Sequence, residues 1–160
     1  MNIKINRTIK PLKKKAIHAP QVLNKPIHYG KPVSFSRGIK VVLGEFVLLF
    51  ISGTASVDKN GKTAHRGDFL AQAKRTFKNL TALLQSEGAS WHDVVKTTCY
   101  LKDMRNYDTF NKVRNQFYKQ KRLNPLPVSS CVGVDLCRPD LLVEIELIAI
   151  LKVKKNGKSL

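Results

Sequence analysis

The chain has 160 residues, a one-domain length that can bury a core without disulfides. Hydrophobic residues make up 42% and charged residues 25%, the balance of a globular domain, and no apolar run approaches the ~20 residues of a membrane span. The net charge of +18 is uneven: residues 1–40 carry ten Lys or Arg and no acid, residues 152–160 carry four Lys and no acid, and residues 41–151 net only +4.

In chain order, residues 1–32 read as a basic, partly extended N-terminal arm. A domain is expected over 33–151 and a basic C-terminal tail over 152–160. Ile39, Val41 and Leu43 recur at every second position, as on one strand face, and Leu43-Gly44-Glu45 turns the chain. Phe46 to Ile51 is apolar throughout, as a central strand would be, and the small residues Ser52-Gly53-Thr54 follow it. Asp58-Lys-Asn-Gly61 is a turn signal. A long helix is expected over about Asp68 to Ser86, with Leu70, Ala73, Phe77, Leu80, Leu83 and Leu84 at helical spacing and Gly88 as a C-terminal cap. Ser90-Trp-His-Asp93 resembles a capping box. Val94 to Leu101 reads as the third strand and Tyr107 to Lys119 as the second helix. Ser129 to Val134 is the expected fourth strand and Leu141 to Leu151 the fifth. The order β-β-α-β-α-β-β places two helices beside one sheet in a two-layer α/β (α+β) domain, with each strand after a helix parallel to the strand before it.

The three cysteines, Cys99, Cys131 and Cys137, form no disulfide framework and no zinc spacing. A reducing, cytoplasmic location is expected, without metal, cofactor or membrane span. Residues 1–30 lack the apolar region of a secretory signal. They share the acid-free basicity of a mitochondrial presequence, but Lys dominates and Pro11, Pro20 and Pro26 interrupt any helix.

Two carboxylates stand in the otherwise apolar last strand. Glu144 and Glu146 are two residues apart, so they point to the same face. Either that face is exposed or paired, or one carboxylate lines a pocket and positions a water. Cys131 reads as a buried thiol unless a base adjoins it. His65-Arg66-Gly67-Asp68 reads as a loop leading into the helix N-cap at Asp68.

Taken in order, several blocks resemble the RidA/YjgF family of small trimeric proteins. They are Phe50-Ile-Ser-Gly53, Asp68 with Ala71-Gln-Ala73 and Asn79-Leu80, Asp93-Val-Val-Lys-Thr-Thr98 with Leu101-Lys-Asp-Met104, and Phe110-Asn111 with Phe117-Tyr118. Ser130-Cys-Val132 and Leu142-Val-Glu-Ile-Glu-Leu-Ile-Ala149 complete the set. The resemblance implies the chorismate-mutase-like fold, a homotrimer with a central barrel, and small-molecule clefts between subunits. Members of the best-known branch hydrolyse enamine or imine intermediates. An arginine holds the substrate carboxylate and a glutamate on the last strand positions water. By position that glutamate is Glu144. The family's serine is Ser52, its asparagine Asn111 and its cysteine Cys131.

Two positions depart from the pattern. Ser129 stands where the family has its arginine, and Phe35 where it has a tyrosine. Losing a charge-assisted carboxylate contact costs ~2–5 kcal/mol when the other charge stays buried and unpaired. Arg138, in the loop before the last strand, is a second candidate for contacting the ligand. The reading is therefore a family member that binds a small metabolite between subunits. Hydrolysis of an enamine or imine by a Glu144-positioned water is expected, but not the standard 2-iminoacid deaminase reaction. Part of the pattern, Ile51-Ser-Gly-Thr-Ala-Ser56, also resembles a domain of chorismate-processing enzymes, but the chain is too short for the two such domains they hold. The alternative is a nucleic-acid-binding regulatory protein that uses its basic arms on phosphates, although the core lacks an evident aromatic platform for bases.

Overall fold

The computed structural model describes residues 12–25 and 33–152. Six strands form one sheet: β1 (Lys14–Ala16), β2 (Gly38–Leu43), β3 (Phe46–Ala55), β4 (Val94–Leu101), β5 (Val128–Gly133) and β6 (Val143–Lys152). Two helices cover one face, α1 (Phe69–Gln85) and α2 (Tyr107–Gln120). The order across the sheet is β1-β2-β3-β6-β4-β5. The last strand inserts antiparallel between β3 and β4, which therefore run in the same direction, and β4 pairs parallel with β5. This is the expected two-layer arrangement, with each strand after a helix parallel to the strand before it.

Local chemistry sets the element ends. Gly44 turns β2 into β3 at φ +59°, a conformation that costs glycine little. The Asp68 carboxylate accepts from the Ala71 N–H at 2.9 Å and satisfies one of the donors that open α1. Asp68→Ala is expected to cost about 1 kcal/mol in a denaturant melt. A cost near zero would show that water caps the helix equally well. Ser90 and Asp93 form the capping box around a single 3-10 turn. The last strand begins at Val143, two residues later than the pattern suggests. The Gln72 side chain donates to Asp140 O at 2.8 Å and accepts from Leu142 N at 2.9 Å, so the helix layer takes up backbone groups that would otherwise extend the strand.

The core lies between the helices and the inner face of the sheet. Val143, Ile145, Leu147 and Ala149 of β6 point into it, with Leu49 and Ile51 of β3 and Leu80, Leu83 and Leu84 of α1. An aromatic cluster joins the two helices. Phe77 stacks on Phe117 at 4.5 Å, and Trp91 meets the Phe117 ring edge-on at 5.0 Å. The Trp91 indole N–H donates to Thr81 Oγ1 at 2.9 Å, which meets its polar requirement inside the core.

Residues 12–25, within the basic arm, build onto this domain. β1 pairs antiparallel with β2, and Ile17, Ala19 and Leu23 are buried. Each of the two larger chains contributes roughly 1.5–3 kcal/mol by leaving water. Apolar residues at 17 and 23 separate this stretch from a purely solvated tail. Residues 1–11, 26–32 and 153–160, which carry much of the terminal charge, lie outside the described residues.

The other face of the sheet is uncovered. Leu43, Phe46, Phe50, Val128, Val132 and Ile150 are exposed there. The strand registers place them on the side away from the helices.

Candidate functional site

Glu144 and Glu146 both point to the uncovered face, as their spacing requires, but they enter different spaces. Glu144 lines a cavity of about 780 Å³ together with Phe35, Arg37, Ser52, Gly53, Cys137 and Arg138. Glu146 lines a smaller cavity of about 460 Å³ with Lys96, Thr98 and Ile148, and Ser52 borders both. A register shift in β3 between Ile51 and Thr54 creates the first site. This bulge puts Gly53 under the Glu144 side chain, where a methyl group would overlap the carboxylate and meet Glu144 Cδ at 2.8 Å.

Burial raises the Glu144 pKa above the usual glutamate value, and the neighbouring Glu146 charge adds to the rise. The Arg37 guanidinium opposes them. Among the described residues no hydrogen bond or ion pair reaches the Glu144 carboxylate. Arg37 is itself buried, and it donates to Asn24 O at 3.3 Å and to Asn24 Oδ1 at 2.9 Å, so the N-terminal segment helps fix it. Arg138, from the loop before β6, donates to Gly61 O at 2.8 Å. Ser52 Oγ donates to Ser36 O at 2.9 Å, tying β3 to the segment that leads into β2. Gly53→Ala is expected to push Glu144 off this position. Followed by carboxyl NMR, the Glu144 pKa should move back toward 4.5, while an unchanged value would mean that the side chain sits elsewhere in solution.

The other predicted site residues gather on the helix-facing side. Ser129 pairs with Thr97, and Cys131 with Cys99, along the parallel β4–β5 ladder. Thr97 Oγ1 lies 3.0 Å from Ser129 Oγ. Arg114 of α2 donates to Ser129 Oγ at 3.0 Å and to Asn111 Oδ1 at 2.8 Å. Burial raises the Cys131 and Cys99 thiol pKa values and keeps both thiols poor nucleophiles, while Arg114 opposes the rise in each case. One chain therefore brings Phe35, Ser52, Arg138 and Glu144 to one cavity, and Asn111, Ser129 and Cys131 to a separate cluster. Arg37, Cys137 and Arg114 were not among the expected residues. For Arg114 a signal existed: it follows Asn111 by three positions, one helical turn, on the same face.

Among the described residues no group of three or more His, Cys, Asp or Glu is placed to hold a metal ion. No helix there is long and apolar enough to cross a membrane.

Comparison with known proteins agrees with this architecture. The family model described as Endoribonuclease L-PSP matches residues 32–151. A RutC family protein of Pyrococcus abyssi is 35% identical over 120 residues, covering 74% of this chain and 88% of the relative. The 3-aminoacrylate deaminase RutC of Acinetobacter baylyi is 30% identical over 102 residues, covering 64% of this chain and 78% of the relative. The crystal structure of E. coli TdcF with bound serine matches with a TM-score of 0.69 at 27% identity, over 86% of this chain and 99% of that one.

Proposed function

Because the chain belongs to the Endoribonuclease L-PSP family, here the RidA/YjgF family, we propose that it binds a small metabolite in clefts between the subunits of a homotrimer and hydrolyses an enamine- or imine-type bond there. The observation that carries the reading is Glu144, a half-buried carboxyl with a raised pKa in a cavity whose other walls offer Ser52, Arg37 and Arg138. A carboxylate so placed takes a proton from a water while the water oxygen bonds to the imine carbon. The C=N electron pair moves to nitrogen, which is protonated, and ammonia leaves as the carbonyl forms. A carboxyl with a raised pKa also returns its proton more readily than a surface glutamate does, as the second half of the reaction requires.

The form of the sheet supports a ligand site shared between subunits. Glu144 and the Ser129–Cys131 pair lie on opposite faces, so a ligand that touches both groups needs two copies of the chain. The exposed apolar face supplies the contact surface for such copies. The A. baylyi relative is named as a deaminase of 3-aminoacrylate and the TdcF structure holds serine, both small amino-acid-like molecules. Ser129 cannot supply a charged fork from β5, so a ligand carboxylate in this cleft needs its cation from another element.

The test generates 3-aminoacrylate, 2-iminopropionate or 2-iminobutyrate in situ and follows ammonia release. Acceleration of at least one above the spontaneous rate is expected. No acceleration of any of them would overturn the hydrolytic reading.

A further inference from the structure

Arg114 makes an arrangement that core stability does not require. Arg114 is half-buried on α2; its guanidinium lies 5.4 Å from the Phe110 ring centroid and is held by two neutral acceptors, Ser129 Oγ and Asn111 Oδ1. The ion pairs among the described residues involve Lys40, Arg66, Arg105 and Lys152, so no carboxylate there neutralises Arg114. A guanidinium has five N–H donors, and the two acceptors engage one on each terminal nitrogen. The cluster opens at the sheet edge, where Ser129 is exposed on β5. A partly desolvated cation in a fixed plane with unused donors is suited to a planar oxyanion arriving from solution.

We propose that Arg114 binds the carboxylate of the ligand, with Ser129 and Asn111 serving as positioning residues that orient its guanidinium. This deepens the small-metabolite reading and rests on it. A serine at 129 then acts as a hydrogen-bond rest for an arginine that reaches the same place from the helix.

The experiment titrates full-length protein with pyruvate and with its neutral counterpart pyruvamide, followed by NMR. The wild-type protein should bind pyruvate in preference to pyruvamide. Arg114→Gln, whose amide can keep a hydrogen bond to Ser129, should weaken pyruvate binding by at least about 30-fold and leave pyruvamide unchanged. Adding Ser129→Arg to Arg114→Gln should restore pyruvate binding by returning the charge from the strand. Equal pyruvate affinity of the wild-type and Arg114→Gln proteins would overturn the assignment, as would a wild-type protein that does not distinguish the two probes. The hydrolytic reading fails separately. A protein that binds pyruvate through Arg114 yet accelerates no imine hydrolysis keeps the carboxylate site and loses the reaction.

Discussion

Glu144→Gln is expected to lower imine hydrolysis by about 10²–10⁴-fold, the usual contribution of a positioned proton acceptor, while pyruvate binding persists. The amide keeps the shape of the side chain but cannot take a proton from water. The pH profile of the unmodified protein provides a second check. Only the carboxylate form accepts the proton, and burial lifts the Glu144 pKa above 4.5, so activity should fall with acidity at a midpoint above that value. Stability should move the other way. A carboxyl whose pKa is raised by folding holds more protons in the folded state, so its contribution declines as pH rises from 4.5 through the raised value. Glu144→Gln removes that penalty. Its melting temperature near pH 7 should be equal to or higher than that of the parent, and the difference should vanish below pH 4.5. A variant that lost both activity and stability would indicate a structural role for Glu144.

The largest effect on stability is expected at Phe77. Its side chain is 2% exposed and sits among Trp91, Phe110, Phe117 and Tyr118, with ring centroids between 4.5 and 6.3 Å away. These rings come from both helices and from the turn before β4, so one deletion loosens three elements. Phe77→Ala is expected to cost about 3–5 kcal/mol, because five rings packed around one another collapse poorly into the vacated space. For a domain whose total stability is on the order of 5–15 kcal/mol, that is a large fraction. Thermal unfolding should shift by on the order of 10 °C. Phe77→Leu should cost less. A cost below about 1 kcal/mol for the alanine variant would show that the cluster repacks, and would shift the weight of the core to the Leu80–Leu83–Leu84 side of α1.

Most elements were legible in the residues because their signals are local. Alternation at Ile39, Val41 and Leu43, helical spacing from Leu70 to Leu84, and the Ser90–Asp93 capping box each depend on neighbours a few positions away, and each element is found where its pattern lies. β6 starts two residues later than its apolar pattern because Gln72, some 70 positions distant, captures the backbone there. β1 has no signal in the sequence because three residues rich in lysine carry no alternation. Pairing with β2 and burial of Ile17 create it.

The site divides in the same way. The sequence alone determined that Glu144 and Glu146 share a face, since side chains along a strand alternate with period two, and that Ser129 cannot act as a guanidinium. That the two glutamates enter different cavities, that Arg37 and Arg138 stand near Glu144, and that Arg114 meets Ser129 depends on the folded packing. Those are contacts between side chains far apart in the chain. They follow from how α2, β5 and the N-terminal segment pack on the sheet, which no local spacing encodes.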